Sequence, residues 1–422
     1  MCRTPRTEFS GMSQKPASAT TYDPLVLRAD VPSIQSGIAH FDGPGGTQTP
    51  RTVANAIAAA LCGPLSNRGV NSAAQVRANE IVLNARQAIA DLLDGDPRGV
   101  IFGRSMTQIT FDLARTLSSQ WSAGDEIIVS RLDHDANIRP WITAADRAGA
   151  RVVWLDFDPV TAQVSVDAVA TALSPRTKLL AITGASNLVG TRPDIAAITA
   201  LARTAGVLTY IDAVHLAAHA RISYTALGAD FITCSPYKFL GPHMGALIAA
   251  PSLLESLSPE KLAPSTMDVP ERFELGTLPY ELLAGVTAAV DVLAELVPDQ
   301  KLDTPRTERL DVSLAALGAY EDQLSSHLAA GLAAMPRVHS YSNAAHKTPT
   351  HLFSVAGFTG AAVSAFLQER GVEAPSGSFY ALECSRHLGL GDAGAIRAGL
   401  APYSTLDDVD RLLAALAELP AT

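Results

Sequence analysis

From Phe41 to about residue 250 the chain alternates short apolar runs with longer stretches whose apolar residues recur at helical spacing. "GVIFG" (99–103) reads as a strand, and "MTQITFDLARTLSSQW" follows it with a helical period. "DEIIVS" is a second apolar run. "NIRPWITAADRAGA" then returns to helical spacing, and "RVVWLDF" is again a strand. "TKLLAITGAS" ends in small residues, and "DIAAITALARTAG" carries a glycine at its C-terminal stop. "VLTYIDAV", "FITCS" and "GALIAA" complete the series. Apolar runs that alternate with helices predict βαβ units and a mostly parallel sheet, covered on both sides.

After about residue 290 the texture changes. A long helical stretch, "RTERLDVSLAALGAYEDQLSSHLAAGLAAM", is followed by "THLFSVAGF", "AAVSAFLQERG", "AIRAGLAPYST" and "LDDVDRLLAALAEL". This predicts a smaller α+β domain. The expected division is a tail over 1–35, a large α/β domain over 36–290 and a small C-terminal domain over 291–422.

Composition narrows the function classes. Hydrophobic residues make up 47% of the 422 and charged residues 18%, so the chain can bury a large core. A net charge of -10 without a basic cluster argues against nucleic-acid binding. The four cysteines, Cys2, Cys62, Cys234 and Cys384, form no C-x-x-C pair, which gives neither a zinc site nor a disulfide framework. The N-terminus lacks the apolar region of a secretory signal, and no run is long enough to span a bilayer. The expectation is a cytoplasmic protein without a membrane partner.

Ligands of open α/β sheets bind beyond the carboxyl ends of the strands, and the chemically informative residues gather there. Asp212 ends "LTYI", and His215 follows at +3. Ser235, Tyr237 and Lys238 follow "FITC"; Ser186 and Asn187 follow "LLAITGA". His134 follows "EIIVS", and Ser105, Met106 and Thr107 open the first helix. Lys238 is one of only six lysines. A lysine at the mouth of a sheet can lose its proton through burial and attack a carbonyl. A carboxylate such as Asp212 can hold the protonated nitrogen of a pyridine ring, the combination that pyridoxal phosphate (PLP) requires. The small turn "GRSMTQ", opening a helix, offers N–H donors to a phosphate. Singly, each has a plainer role: solvated lysine, capping carboxylate, helix N-cap by Ser105, surface histidine.

In combination they carry a resemblance. "DHDANIRPW", "GASNLVGTRPDI", "YIDAVHLAAH", "SPYKFLGPHMG" and "RFELGTLPY" stand in the order found in class V aminotransferases, PLP enzymes of fold type I, and the chain resembles their cysteine-desulfurase-like branch from "FDGPGGTQTP" to "YSTLDDVDRLLAAL". The resemblance implies Lys238 as the aldimine lysine, Asp212 at the pyridinium nitrogen and His134 stacked on the ring. It implies His215, where the family usually has Gln, beside the phenolic oxygen, with Asn187 near that oxygen or the substrate. Ser105, Met106, Ser235 and Tyr237 match phosphate-binding positions. Thr277 matches a residue that reaches the phosphate of a neighbouring subunit, which implies a homodimer with shared sites. Arg397 matches the arginine that grips the carboxylate of an amino-acid substrate, a task suited to a guanidinium fork.

One departure bears on the reaction. Cysteine desulfurases carry a catalytic cysteine on a loop ahead of that arginine; in "PSGSFYALECSRHLGL" the position falls on Tyr380, and Cys384 comes four residues later. Persulfide chemistry needs an exposed, mobile thiolate. The resemblance therefore implies a PLP enzyme acting on an amino acid, an aminotransferase or a lyase that cleaves C–S bonds by β-elimination, with epimerisation or a non-catalytic PLP-binding role as alternatives. The Phe379–Tyr380 pair is expected to close over the substrate. The protein is not expected to be a dedicated sulfur donor; cysteine-dependent sulfide release that disappears in a Cys384→Ser variant would reverse that expectation.

Overall fold

The computed structural model describes residues 22–298, 300 and 303–420. Most of the expected tail, with Cys2, lies outside the described residues. The remainder of that stretch is ordered as a helix, Pro24–Asp30, capped by the Asp23 carboxylate, and a short turn over Pro32–Ser36. Arg28 fastens this helix to the C-terminal domain, donating to Tyr403 O and Asp408 Oδ2, both at 2.7 Å.

The strands in chain order are β1 Ala39–His40, β2 Val100–Gly103, β3 Glu126–Ser130, β4 Arg151–Leu155, β5 Thr177–Thr183, β6 Leu208–Asp212, β7 Phe231–Cys234, β8 Gly245–Ala249, β9 Val338–Ser340, β10 Thr350–Val355, β11 Val372–Glu373, β12 Ser376–Gly377 and β13 Ala395–Gly399. Seven of them form the large sheet in the order β2-β8-β7-β6-β5-β3-β4. Six run parallel. β8 is reversed and pairs antiparallel with both β7 and β2. The reason is chain length: only ten residues separate β7 from β8, too few for a crossover helix. β3, β7 and β8 are buried at every position, as strands covered on both faces must be.

Helices cover both faces. On one side Met106–Ser118 and Arg139–Ala148 pack together, with Trp141 fully buried against Tyr210. On the other side lie three helices not singled out from the sequence, Arg51–Cys62, Ala73–Leu93 and Tyr280–Ala294, the last of which packs on both of the others. The last two bury the larger core with Leu93, Val82, Val286 and Val290. A four-stranded sheet, β12-β13-β10-β9, and the helices Gly360–Gln368 and Leu406–Ala417 form the C-terminal domain around Phe353, Ile396 and Leu412. The 28-residue helix Arg306–Ala333 links the two. Residues 39–42, expected in the large domain, pair instead with C-terminal elements: β1 lies parallel to β11, and Asp42 bridges Gly399. No described helix is long and apolar enough to cross a membrane.

The turn that carries Thr277 is tied back by a buried ion pair. Arg86 holds both oxygens of Glu274, at 2.9 and 2.8 Å, and Glu274 also accepts from Phe102 N at 2.8 Å. Both side chains are almost fully buried. Arg86→Leu leaves the carboxylate buried without its cation and is expected to lower the unfolding free energy by about 3–5 kcal/mol, whereas the double variant Arg86→Leu/Glu274→Leu should recover part of that loss in urea denaturation.

Candidate active site

Five strands end, and the reversed β8 begins, at one edge of the large sheet. β6 and β7 are parallel neighbours with Asp212 opposite Thr233, so Asp212 and the turn Pro236–Lys238 emerge side by side. Thr183 of β5 lies opposite Asp212 and leads to Asn187. β3 leads to His134. β2 and the reversed β8 meet as Gly103 opposite Gly245, which sets Gly245 beneath Ser105 and Met106. These residues line a cavity of about 670 Å³ and a narrower recess beneath it. Lys238, His134, Asn187, Tyr237 and Thr107 line both. Ser105, Met106, Ser235, Asp212 and His215 line the recess, while Arg397, Phe379 and Tyr380 line the outer cavity.

Local structure explains each placement. Ser105 caps the Met106–Ser118 helix by accepting from Gln108 N at 3.1 Å, so its plainer role is realised at the rim of the recess. Gly245 allows β8 to pass under that helix start: a Cβ there would lie 2.3 Å from Met106 N. The loop of His134 is held from behind. Asn137 donates to the buried Asp133 at 2.6 Å, and Trp141 donates to Asn137 at 3.0 Å. His134 Nδ1 accepts from Ala136 N at 3.0 Å, which leaves the proton on Nε2. Thr47 fixes the turn after Lys238, donating through N and Oγ1 to Tyr237 O at 3.0 and 3.1 Å and accepting from Leu240 N at 2.8 Å. Tyr237 stacks on His243, 4.8 Å between ring centres.

The site is rich in buried charge that the protein leaves unpaired. Burial pushes Lys238 down to about 8, with Arg397 adding to the shift and Asp212 and Asp42 opposing it. Burial pushes Asp212 up to about 6, against the Val214 N–H that its Oδ1 accepts at 2.9 Å and against the charge on Lys238. His134 is pushed down to about 3 by burial, then by Lys238 and Arg397, so it presents a neutral ring. His215 is held well below its ordinary range by burial first. No described carboxylate lies within ion-pair reach of Lys238. Asn187 Oδ1 and His215 Nδ1 are buried with no hydrogen-bond partner.

This set fits PLP. A protonated ring nitrogen supplies the cation that buried Asp212 lacks, an aldehyde suits a lysine with a depressed pKa, and a phosphate suits the helix start over Gly245. A mostly parallel sheet with a smaller C-terminal domain and a buried lysine at its carboxyl edge is the architecture of PLP enzymes of fold type I. The family model for class-V aminotransferases matches residues 39–412, and the chain belongs to that family. It is 33% identical over 401 residues to an uncharacterized protein of Mycobacterium tuberculosis, MT3887, covering 94% of this chain and 99% of the relative. It is 30% identical over 421 residues to a probable cysteine desulfurase of Pseudomonas putida, covering 94% and 98%. The solved structure of the Escherichia coli cysteine desulfurase CsdA, in its S-sulfonic acid form, superposes with a TM-score of 0.82 at 26% identity, over 94% of this chain and 98% of that one. The protein is a PLP-dependent enzyme of the cysteine-desulfurase-like kind.

Of the site residues named from the sequence, two line neither cavity: Ser186, buried just before Asn187, and Thr277, which is exposed. Tyr380 is 75% exposed, and its carbonyl accepts from Asp135 N at 2.6 Å. Phe379 covers Arg397, with the guanidinium carbon 3.7 Å from its ring centre, and its carbonyl accepts from Asn187 at 2.9 Å. Cys384 is fully buried in the Leu382–His387 helix, where burial raises its thiol pKa; Cys234 is pushed up to about 12 by the same cause. Neither lines a cavity. One partner escaped the sequence. Asp42, in "FDGPGG", takes one arm of the fully buried Arg397, whose other arm donates to Asn187 O at 3.1 Å. The two residues lie 355 apart, and nothing local to Asp42 signals the pairing.

Two outcomes follow. Gly245→Ala is expected to weaken PLP retention more than tenfold, read by equilibrium dialysis, with little loss of secondary structure. The rate at which the unloaded protein captures PLP should rise with pH through about 8 as Lys238 becomes the free amine. Arg397→Met removes a neighbouring cation and should move that midpoint upward; a midpoint unmoved in that variant would contradict the assigned coupling.

Proposed function

We propose that the protein acts on a small α-amino acid, removing the proton at its Cα, and that it does so without collecting sulfur on a protein thiol. PLP, when bound, supplies the aldehyde that joins the amine and a ring that accepts electrons. The chain's own residues do the rest. Burial holds Lys238 down to about 8, so about a tenth of it is free amine at pH 7 where an ordinary lysine has almost none, which suits it first to joining PLP and then to accepting a proton at Cα. Asp212 holds the proton on the ring nitrogen. Neutral His134 offers a ring face. Arg397 grips the carboxylate by displacing Asp42, which is half exposed and has room to turn outward.

The observation that carries this reading is a contrast within the site: Lys238, Asp212 and Arg397 are all buried along the outer cavity and its recess, and no described cysteine lines either. The outcome is then elimination of a β-substituent or transamination. The outer cavity has space for a substituent between Phe111, Arg139 and Tyr380. The working unit in this reading is a cytoplasmic homodimer. The exposed Thr277, beside exposed Leu275 and outside the cavities of its own chain, supports a role at a neighbour's phosphate.

The test is the visible spectrum of the loaded protein titrated with a panel of amino acids including cysteine, with release of oxoacid, ammonia and sulfide followed alongside. A band that is lost in Lys238→Ala and shifts with one substrate supports the reading; a colourless protein that gains no band with PLP overturns it. Arg397→Lys is expected to raise KM for that substrate about 30- to 100-fold with a smaller change in kcat, since a bidentate grip worth about 2–3 kcal/mol is lost in binding.

A further inference from the structure

His215 is buried at the wall of the recess, just past the end of β6, and its side-chain hydrogen bonds come from the other domain. Its Nε2 lies 2.8 Å from Thr348 Oγ1 and 2.9 Å from Thr350 Oγ1. Its Nδ1 is buried, without a partner, on a residue that lines the recess with Lys238 and Asn187. A neutral imidazole carries one proton, and which nitrogen holds it decides whether the recess is offered a donor or an acceptor.

The hydroxyl protons decide it. Thr348 has an acceptor besides His215, the carbonyl of Gly190 at 3.3 Å. Thr350 has no such carbonyl; apart from His215 its neighbour is the Thr348 hydroxyl at 3.4 Å. The short, well-placed use of the Thr350 proton is therefore donation to His215 Nε2. Nε2 then accepts, and the ring proton sits on Nδ1, the nitrogen that has no partner within the chain. A charged ring with protons on both nitrogens is disfavoured by the buried surroundings, where His219 meets the ring edge-on at 4.9 Å and Lys238 and Arg397 are cations.

We propose that Thr350 is a positioning residue that fixes His215 in its Nδ1–H tautomer, so that this chain presents an N–H donor to the phenolic oxygen of PLP where its family usually presents an amide. The assignment of that oxygen rests on the PLP reading above; the tautomer does not. Thr350 pairs with Gly399 in the β10–β13 ladder, the same ladder in which Leu352 faces Arg397. The donor is thus set by the strand pair that also carries the carboxylate grip, and only while the C-terminal domain is seated.

The experiment is long-range proton–nitrogen correlation on the full chain labelled with nitrogen-15 histidine, recorded without and with PLP. The His215 signals are identified by their loss in His215→Gln. The expected pattern is a neutral ring protonated at Nδ1 before PLP is added, retained in Thr350→Ser and moved largely to Nε2–H in Thr350→Val. An Nε2–H ring in the unmodified protein overturns the proposal, and so does a Thr350→Val protein that keeps Nδ1–H. Should Thr350→Val fail to fold, the unmodified protein and Thr350→Ser decide the matter between them. A protein that shows the Nδ1–H ring yet gains no visible band with PLP contradicts the cofactor reading and leaves the tautomer standing.

Discussion

The constraint on which the rest depends is the burial of charge at one edge of a sheet. Lys238, Asp212 and Arg397 are each nearly sealed from water, and desolvation is the largest influence on the pKa of all three. Lys238 and Asp212 do not cancel each other by contact. Keeping them apart costs stability, because an unpaired buried charge is expensive. The surroundings bear that cost with a large apolar core and with supports placed one layer out, such as the Asp133–Asn137–Trp141 chain and the Thr47 clasp on the turn after Lys238. A ligand bearing a cation for Asp212 and a carbonyl for Lys238 relieves the strain on both, so the cost is recovered on binding.

The second consequence of that arrangement is that the site belongs to neither domain. The sheet edge supplies Lys238, Asp212, His134 and Asn187; the C-terminal domain supplies Arg397, Thr350 and the Phe379–Tyr380 turn. Asn187 is a hinge between them. Its side chain holds Phe379 and its carbonyl holds Arg397. The N-terminal segment closes the loop, since β1 joins the C-terminal domain while Asp42, two residues on, joins Arg397.

Much of this was legible in the chain. Strands buried on both faces, such as "EIIVS" and "FITC", cannot be written without continuous apolar runs, and the residues just beyond them stand at the ligand edge by geometry. What was not legible is what depends on distant pairing. The helix Arg51–Cys62 buries only Val53 and Ala60, and Ala73–Leu93 mixes buried alanines with Val82, Ile89 and Leu92 around the buried Arg86, so what each packs against is decided by distant elements. The reversal of β8 is a matter of linker length. Asp42 and Thr350 are unremarkable in their own segments and acquire meaning only from Arg397 and His215.

The Phe379–Tyr380 turn has a further consequence. Both residues sit at positive φ, 51° and 58°, a left-handed backbone that side chains with a Cβ adopt at a cost, and both carbonyls are held, by Asn187 and Asp135. A swinging arm needs a segment with several conformations of similar energy; this one is sprung and latched. Under the reading proposed above, a cysteine grafted onto position 380 would supply a thiol but not the travel, so sulfur transfer from this turn is a problem of freeing a backbone before it is one of choosing a side chain.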